Sequence, residues 1–156
     1  MRPSIIIADD HPLILKGLND FLCEKGYNVL ASAKNGKEAL SFIKVHSPDI
    51  AILDIEMPFY TGIDIAKECQ KSKSSTKIIL ITFEKDEKIY NDAKTFDIYG
   101  YVLKEFALEE IENCIASVIK GKSYFSPELI LYLEPNIKPK GIDSLTTTEN
   151  KILTLI

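Results

Sequence analysis

The sequence predicts a doubly wound α/β domain, a five-stranded parallel sheet with helices on both faces, and two observations predict it. Short β-branched runs alternate with segments of helical period along residues 4–119. Two of those runs, SIIIA and KIILIT, are apolar almost from end to end, as strands covered on both faces are. Alternation in this order implies right-handed crossovers that place helices on both sides of one sheet.

The first strand is Ser4–Ala8. Ile14, Leu18, Phe21 and Leu22 then recur at helical spacing, with Gly26 just past the end as a stop signal. Residues 29–33 form a weaker second strand, and residues 37–45 a helix that turns Ala39, Leu40 and Ile43 inward. Residues 49–53 are the third strand, followed by the loop DIEMPFYTG and a helix over residues 63–70. Lys77–Thr82 is the fourth strand; Ile89, Ala93 and Phe96 mark the fourth helix. Residues 99–103 are the fifth strand, and Leu108, Ile111, Ile115, Val118 and Ile119 line the apolar stripe of a fifth helix.

In such sheets ligands bind beyond the carboxyl ends of the strands, near the point where strand order reverses. Asp9 and Asp10 follow strand one, Asp54 follows strand three, Thr82 closes strand four and Lys104 closes strand five. Taken singly, an aspartate after a strand is a cap or turn residue, and a terminal lysine is solvated. Topology, however, brings all five to one edge.

Three neighbouring carboxylates raise one another's pKa unless a cation neutralises them, and hard oxygen ligands suit Mg²⁺. A carboxylate can also act as a nucleophile and form an aspartyl phosphate. Lys104 and the Thr82 hydroxyl would then bind the transferred phosphoryl oxygens. Neither GxxxxGK[ST] nor GxGxxG occurs, so a nucleotide is not the expected phosphate source.

These residues resemble a known family. ADDHP, DIEMP with Gly62, LIT and GYVLK stand in the order and spacing of bacterial two-component response-regulator receiver domains, over residues 1–121. The resemblance implies a flavodoxin-like sheet of strand order 2-1-3-4-5. It implies that Asp54 accepts a phosphoryl group from a phosphohistidine of a sensor histidine kinase. It also implies that Asp9, Asp10, Asp54 and the backbone carbonyl of Glu56 hold Mg²⁺, and that Thr82 and Tyr101 form the switch pair. On that reading Tyr101 turns inward as Thr82 follows the phosphoryl oxygens; otherwise it is a half-buried strand-edge aromatic with a wet hydroxyl. Two positions depart from the family pattern. Glu105 follows Lys104 where many receivers have proline, and Phe83 is bulkier than the small residue often found after the threonine.

Residues 122–144, rich in proline and with Gly141, have the composition of a linker. A capping box, Thr146 to Glu149, then opens the segment LTTTENKILTLI. It is similar to the start of the LuxR-type helix-turn-helix domain of NarL/FixJ-type regulators. Residues 145–156 are therefore expected to be the first helix of a truncated DNA-binding domain. Specific DNA contact is expected only from the missing part, since the net charge of -4 lacks the basic balance of a nucleic-acid binder. A homodimer regulated by phosphorylation is a further expectation.

The three cysteines, Cys23, Cys69 and Cys114, lack metal-ligand spacing and read as reduced, buried thiols. With neither a signal segment nor a membrane span, the expected location is the cytoplasm. Two other classes share parts of this pattern. A haloacid-dehalogenase-type Mg²⁺-dependent phosphatase also combines Asp, Thr, Lys and paired acids, but with D-x-D after the first strand, whereas here the paired acids come first. A receiver-fold scaffold would need no phosphorylation, which sits poorly with a complete set of site residues.

Overall fold

The structure is a computed structural model and describes residues 2–133. The predicted alternation is present as β1 (Ser4–Ala8), α1 (Pro12–Glu24), β2 (Asn28–Ala33), α2 (Gly36–His46), β3 (Ile50–Asp54) and α3 (Gly62–Lys71). It continues through β4 (Lys77–Thr82), α4 (Glu87–Thr95), β5 (Gly100–Leu103), a 3-10 turn (Lys104–Phe106) and α5 (Ala107–Ile119). Next comes β6 (Tyr124–Phe125), and the chain divides after Ser126 into two units. The described part of the second unit is α6 (Pro127–Leu133).

The sheet has six parallel strands in the order β2-β1-β3-β4-β5-β6, one more than the five expected. The sixth escaped because two residues are too few to show a period of two. Both β6 and α6 lie within the predicted linker; its remainder, residues 134–144, and the predicted helix at 145–156 lie outside the described residues. β3 takes in Asp54 as its last residue rather than ending before it.

Successive residues of each strand point to opposite faces, and this alternation builds two cores. Ile6, Leu53 and Leu80 face α2 and α3, where they meet Ile43, Ile65 and Ala66. Ile5, Ile7, Ile52, Ile79 and Ile81 face α1 and α5, against Leu22, Ile111 and Ile115. Burial on both faces is why these strands are apolar throughout.

Local signals set the helix starts. Pro12 opens α1, Asn35 caps α2 by accepting from the Glu38 N–H at 2.8 Å, and Thr61 and Asp64 form a reciprocal capping box at α3. Gly62 is required by close approach. A Cβ there would lie 2.8 Å from both the Asp54 carbonyl oxygen and Leu80. Gly36 likewise leaves room for the backbone of Tyr60, so the loop after β3 folds back over the start of α2. Of the cysteines, Cys69 and Cys114 are buried as expected, but Cys23 is exposed on α1.

Candidate functional site

Strand order reverses between β1 and β3, so the crevice at their carboxyl ends is where a doubly wound sheet places its ligand. Asp9 leaves β1 there and Asp54 ends β3. Both are buried, 1% and 3% exposed, which for carboxylates demands compensation. Lys104 provides part of it. Its Nζ, carried just past β5, lies 2.9 Å from Asp9 Oδ2 and 3.1 Å from Asp54 Oδ1, and its side chain is 2% exposed.

One ammonium does not satisfy two carboxylates. The pair of Asp9 Oδ2 with Lys104 is an ion contact without an aligned hydrogen bond, and Asp54 Oδ2 is buried with no donor. Burial, and then the charge of Asp9, push the Asp54 carboxyl from 3.8 up to about 7, while Lys104 draws it back. The site is therefore short of positive charge at Oδ2 of Asp54.

His11 borders that gap and was not singled out from the sequence. Asp9 Oδ1 accepts from the His11 backbone N–H at 2.8 Å, a local turn that aims the imidazole back into the site. Its Nδ1 lies 2.7 Å from Asp9 Oδ1, 3.3 Å from Asp10 Oδ1, 3.7 Å from Asp54 Oδ2 and 3.1 Å from Lys104 Nζ. The signal available in the sequence was its place directly after the paired acids. Asp9, Asp10, His11 and Asp54 offer ligand atoms that all lie within 4.8 Å of one another. Asp10 and His11 face solvent while Asp9 and Asp54 are buried, so one side of the set is open.

The remaining predicted residues divide into two groups. Glu56 is exposed, with its side chain outside the acidic cluster. Thr82 is buried at the end of β4, and its Oγ1 accepts from the Glu84 N–H at 3.1 Å. Tyr101 is fully buried, and its hydroxyl donates to the Glu84 carbonyl at 2.6 Å. Burial pushes that hydroxyl up to about 12, so it is a donor throughout the neutral range. The reading of Tyr101 as a half-buried aromatic with a wet hydroxyl does not hold, because the residue is fully buried and the loop after β4 supplies the partners of its hydroxyl. Phe83 reaches over the pocket, with its ring centroid 5.2 Å from Lys104 Nζ and edge-on to His11 at 6.4 Å.

A parallel sheet with a buried aspartate at each side of its switch point, bridged by a lysine just past the fifth strand, defines a receiver-type signalling domain. Residues 5–116 match the response regulator receiver domain, and the chain belongs to that family. It is 35% identical over 156 residues to the transcriptional regulatory protein DesR of Bacillus subtilis, covering 98% of this chain and 74% of DesR. The signal receiver domain of NarL from Mycobacterium tuberculosis is similar in structure, with a TM-score of 0.74 and 31% identity over 78% of this chain and 98% of that one. A structure of two RcsB dimers bound to two parallel DNAs matches with a TM-score of 0.78 and 27% identity, over 86% of this chain and 69% of that one. The chain is a response-regulator receiver of the NarL/LuxR type, which sets aside both the phosphatase and the scaffold readings. Receiver domains of this kind are signalling switches. Among the described residues no helix is long and apolar enough to cross a membrane.

Proposed function

We propose that Asp54 is the phospho-acceptor of this receiver, and the observation that carries the reading is its unpartnered Oδ2. Asp54 Oδ2 is buried, lacks a hydrogen-bond donor and lies 3.7 Å from His11 Nδ1 within the acidic cluster, while Oδ1 is held by Lys104. A carboxylate oxygen without a hydrogen bond keeps its lone pairs for attack. The expected donor is the phosphohistidine of a sensor histidine kinase. Asp54 Oδ2 bonds to phosphorus as the P–N bond breaks, and the imidazole departs with that electron pair and takes up a proton. Lys104 and the Thr82 hydroxyl then bind the phosphoryl oxygens.

The residues fit a divalent cation, for which Mg²⁺ is the family expectation. Asp9, Asp10 and Asp54 supply hard oxygens, two of them buried without a hydrogen-bond partner, and the Glu56 carbonyl is the further ligand proposed. When bound, the cation supplies positive charge that offsets the acidic cluster and the incoming phosphoryl group. The chain's own part is to hold Asp54 ionised and aimed, through Lys104, and to shield it under Phe83.

In the same reading Thr82 and Tyr101 form the switch. Thr82 leaves the Glu84 N–H to reach the phosphoryl oxygens, and the loop tied to Tyr101 shifts with it, a bias of a few kcal/mol between two states. Output is transcriptional control in the cytoplasm, by a phosphorylation-dependent homodimer that binds DNA through a domain begun by residues 145–156. The likeness to DNA-bound RcsB dimers supports this. Only self-phosphorylation from a phosphodonor and slow loss of the group are expected as chemistry.

Incubation with acetyl phosphate, with and without Mg²⁺, tests the acceptor by intact mass. A Mg²⁺-dependent gain of one phosphoryl group in the parent, absent in Asp54→Ala, is expected. No gain under either condition, or an equal gain in the variant, would remove Asp54 from this role.

A further inference from the structure

Lys104 reaches two buried carboxylates from a very short support, the 3-10 turn Lys104–Phe106 between β5 and α5. Its position is set by the residues that fix the two ends of that turn. On the β4 side, the ladder pairs Thr82 with Leu103. On the other side β6 pairs only with Gly100 and Tyr101, and the Ser126 N–H then donates to the Tyr101 carbonyl at 2.9 Å.

A regular parallel ladder would next send the Leu103 N–H to the backbone carbonyl of Ser126. The side chain takes that place. Ser126 Oγ accepts from the Leu103 N–H at 3.0 Å and donates its own proton to Glu110 Oε1 at 2.7 Å. Ser126 and Leu103 are both fully buried, so without this hydroxyl the Leu103 N–H would lose its partner out of reach of water. Glu110 lies on α5 and also accepts from the Tyr124 hydroxyl at 3.3 Å. One hydroxyl thus joins residues 103 and 110, which flank the turn bearing Lys104.

We infer that Ser126 is a positioning residue for Lys104, its hydroxyl tying Leu103 to Glu110 and so fixing the turn from which the lysine reaches Asp9 and Asp54. Its bearing on phosphoryl uptake rests on the proposed role of Lys104 in binding the phosphoryl oxygens. A segment that composition marks as linker would then belong to the phosphoryl site. The coupling is reciprocal, because a load on the Lys104 ammonium is felt at Ser126 through the same two hydrogen bonds.

The test uses the full chain labelled with ¹⁵N. Ser126→Ala is expected to move the Lys104 Nζ resonance while the signals of Ile43 and Ile65, on the opposite face, stay in place. Uptake of phosphoryl from acetyl phosphate should slow about three- to tenfold, the worth of roughly one hydrogen bond, and Ser126→Thr should restore part of it. Glu110→Ala, at a half-buried site, should move the Lys104 signal in the same direction if Ser126→Ala folds poorly. An unchanged Lys104 signal in the folded variants overturns the inference. If the parent takes up no phosphoryl group, the role of Asp54 fails, yet the Lys104 signal still decides whether Ser126 positions the lysine.

Discussion

The Tyr101 hydroxyl donates to the backbone carbonyl of Glu84 at 2.6 Å, while the N–H of the same residue donates to Thr82. Glu84 is thus gripped at both polar groups by the two residues proposed to form the switch. Tyr101→Phe keeps the ring and removes one grip. Stability should fall by about 1 kcal/mol, and amide exchange over residues 83–86 should accelerate. Hydrogen exchange of that loop checks this, and unchanged protection would mean that the hydroxyl does not hold it.

The pH dependence follows from Asp54. A carboxyl whose pKa rises on folding keeps a proton that the unfolded chain has released. Its contribution to stability is fully present below about 3.8 and is lost as pH climbs to about 7. In EDTA, stability of the parent should therefore decline across that window. Asp54→Asn should flatten the decline and exceed the parent above pH 7 by an amount on the order of a few kcal/mol. Urea unfolding at a series of pH values reads the difference, and parallel curves would point to another group.

Removing Lys104 leaves two carboxylates facing each other without a cation in a buried place. Lys104→Met should cost about 3–5 kcal/mol at pH 8, the usual penalty for breaking a buried pair from one side. At pH 5 the loss should be smaller, because Asp54 is then protonated. Equal losses at both values would show that packing of the aliphatic stem, not charge, sets the cost.

Addition of Mg²⁺ should raise the unfolding temperature of the parent. At a hundredfold excess over Kd the gain is about 2.7 kcal/mol. The variant Asp9→Asn with Asp10→Asn should lose the gain. A shift of equal size in parent and variant would place the cation elsewhere.

Gly62→Ala should destabilise by about 1–3 kcal/mol, since the new methyl meets the Asp54 carbonyl and Leu80 at 2.8 Å and neither can withdraw cheaply. Thermal unfolding measures it.

How much of this was legible in the sequence depends on how many residues carried each signal. The inner strands were readable because runs such as KIILIT are buried on both faces and are apolar between their ends, whereas the border strand β2, partly exposed, leaves a weaker trace. Asp9, Asp54 and Lys104 could be brought together from topology alone, since a parallel sheet sends every strand's carboxyl end to one edge. β6 was not readable: its two residues are held by a backbone ladder and a serine hydroxyl, neither of which leaves a periodic trace. His11 was missed for a related reason. Its ring is aimed by a two-residue turn at Asp9, a matter of local dihedrals rather than spacing. The inward place of Tyr101 needed the path of the loop after β4, which no periodicity records.

The ends of the sheet have a consequence for crowding. On one side the last strand, Tyr124–Phe125, is only two residues long; on the other, the register between β1 and β2 shifts at Ile5/Ile6. A stranger's backbone adds most readily to a long, flat row of free amides and carbonyls; among the described residues β6 is too short to offer one, and the irregular register at β2 interrupts the other border. At high concentration this domain should resist edge-to-edge sticking along its β6 border.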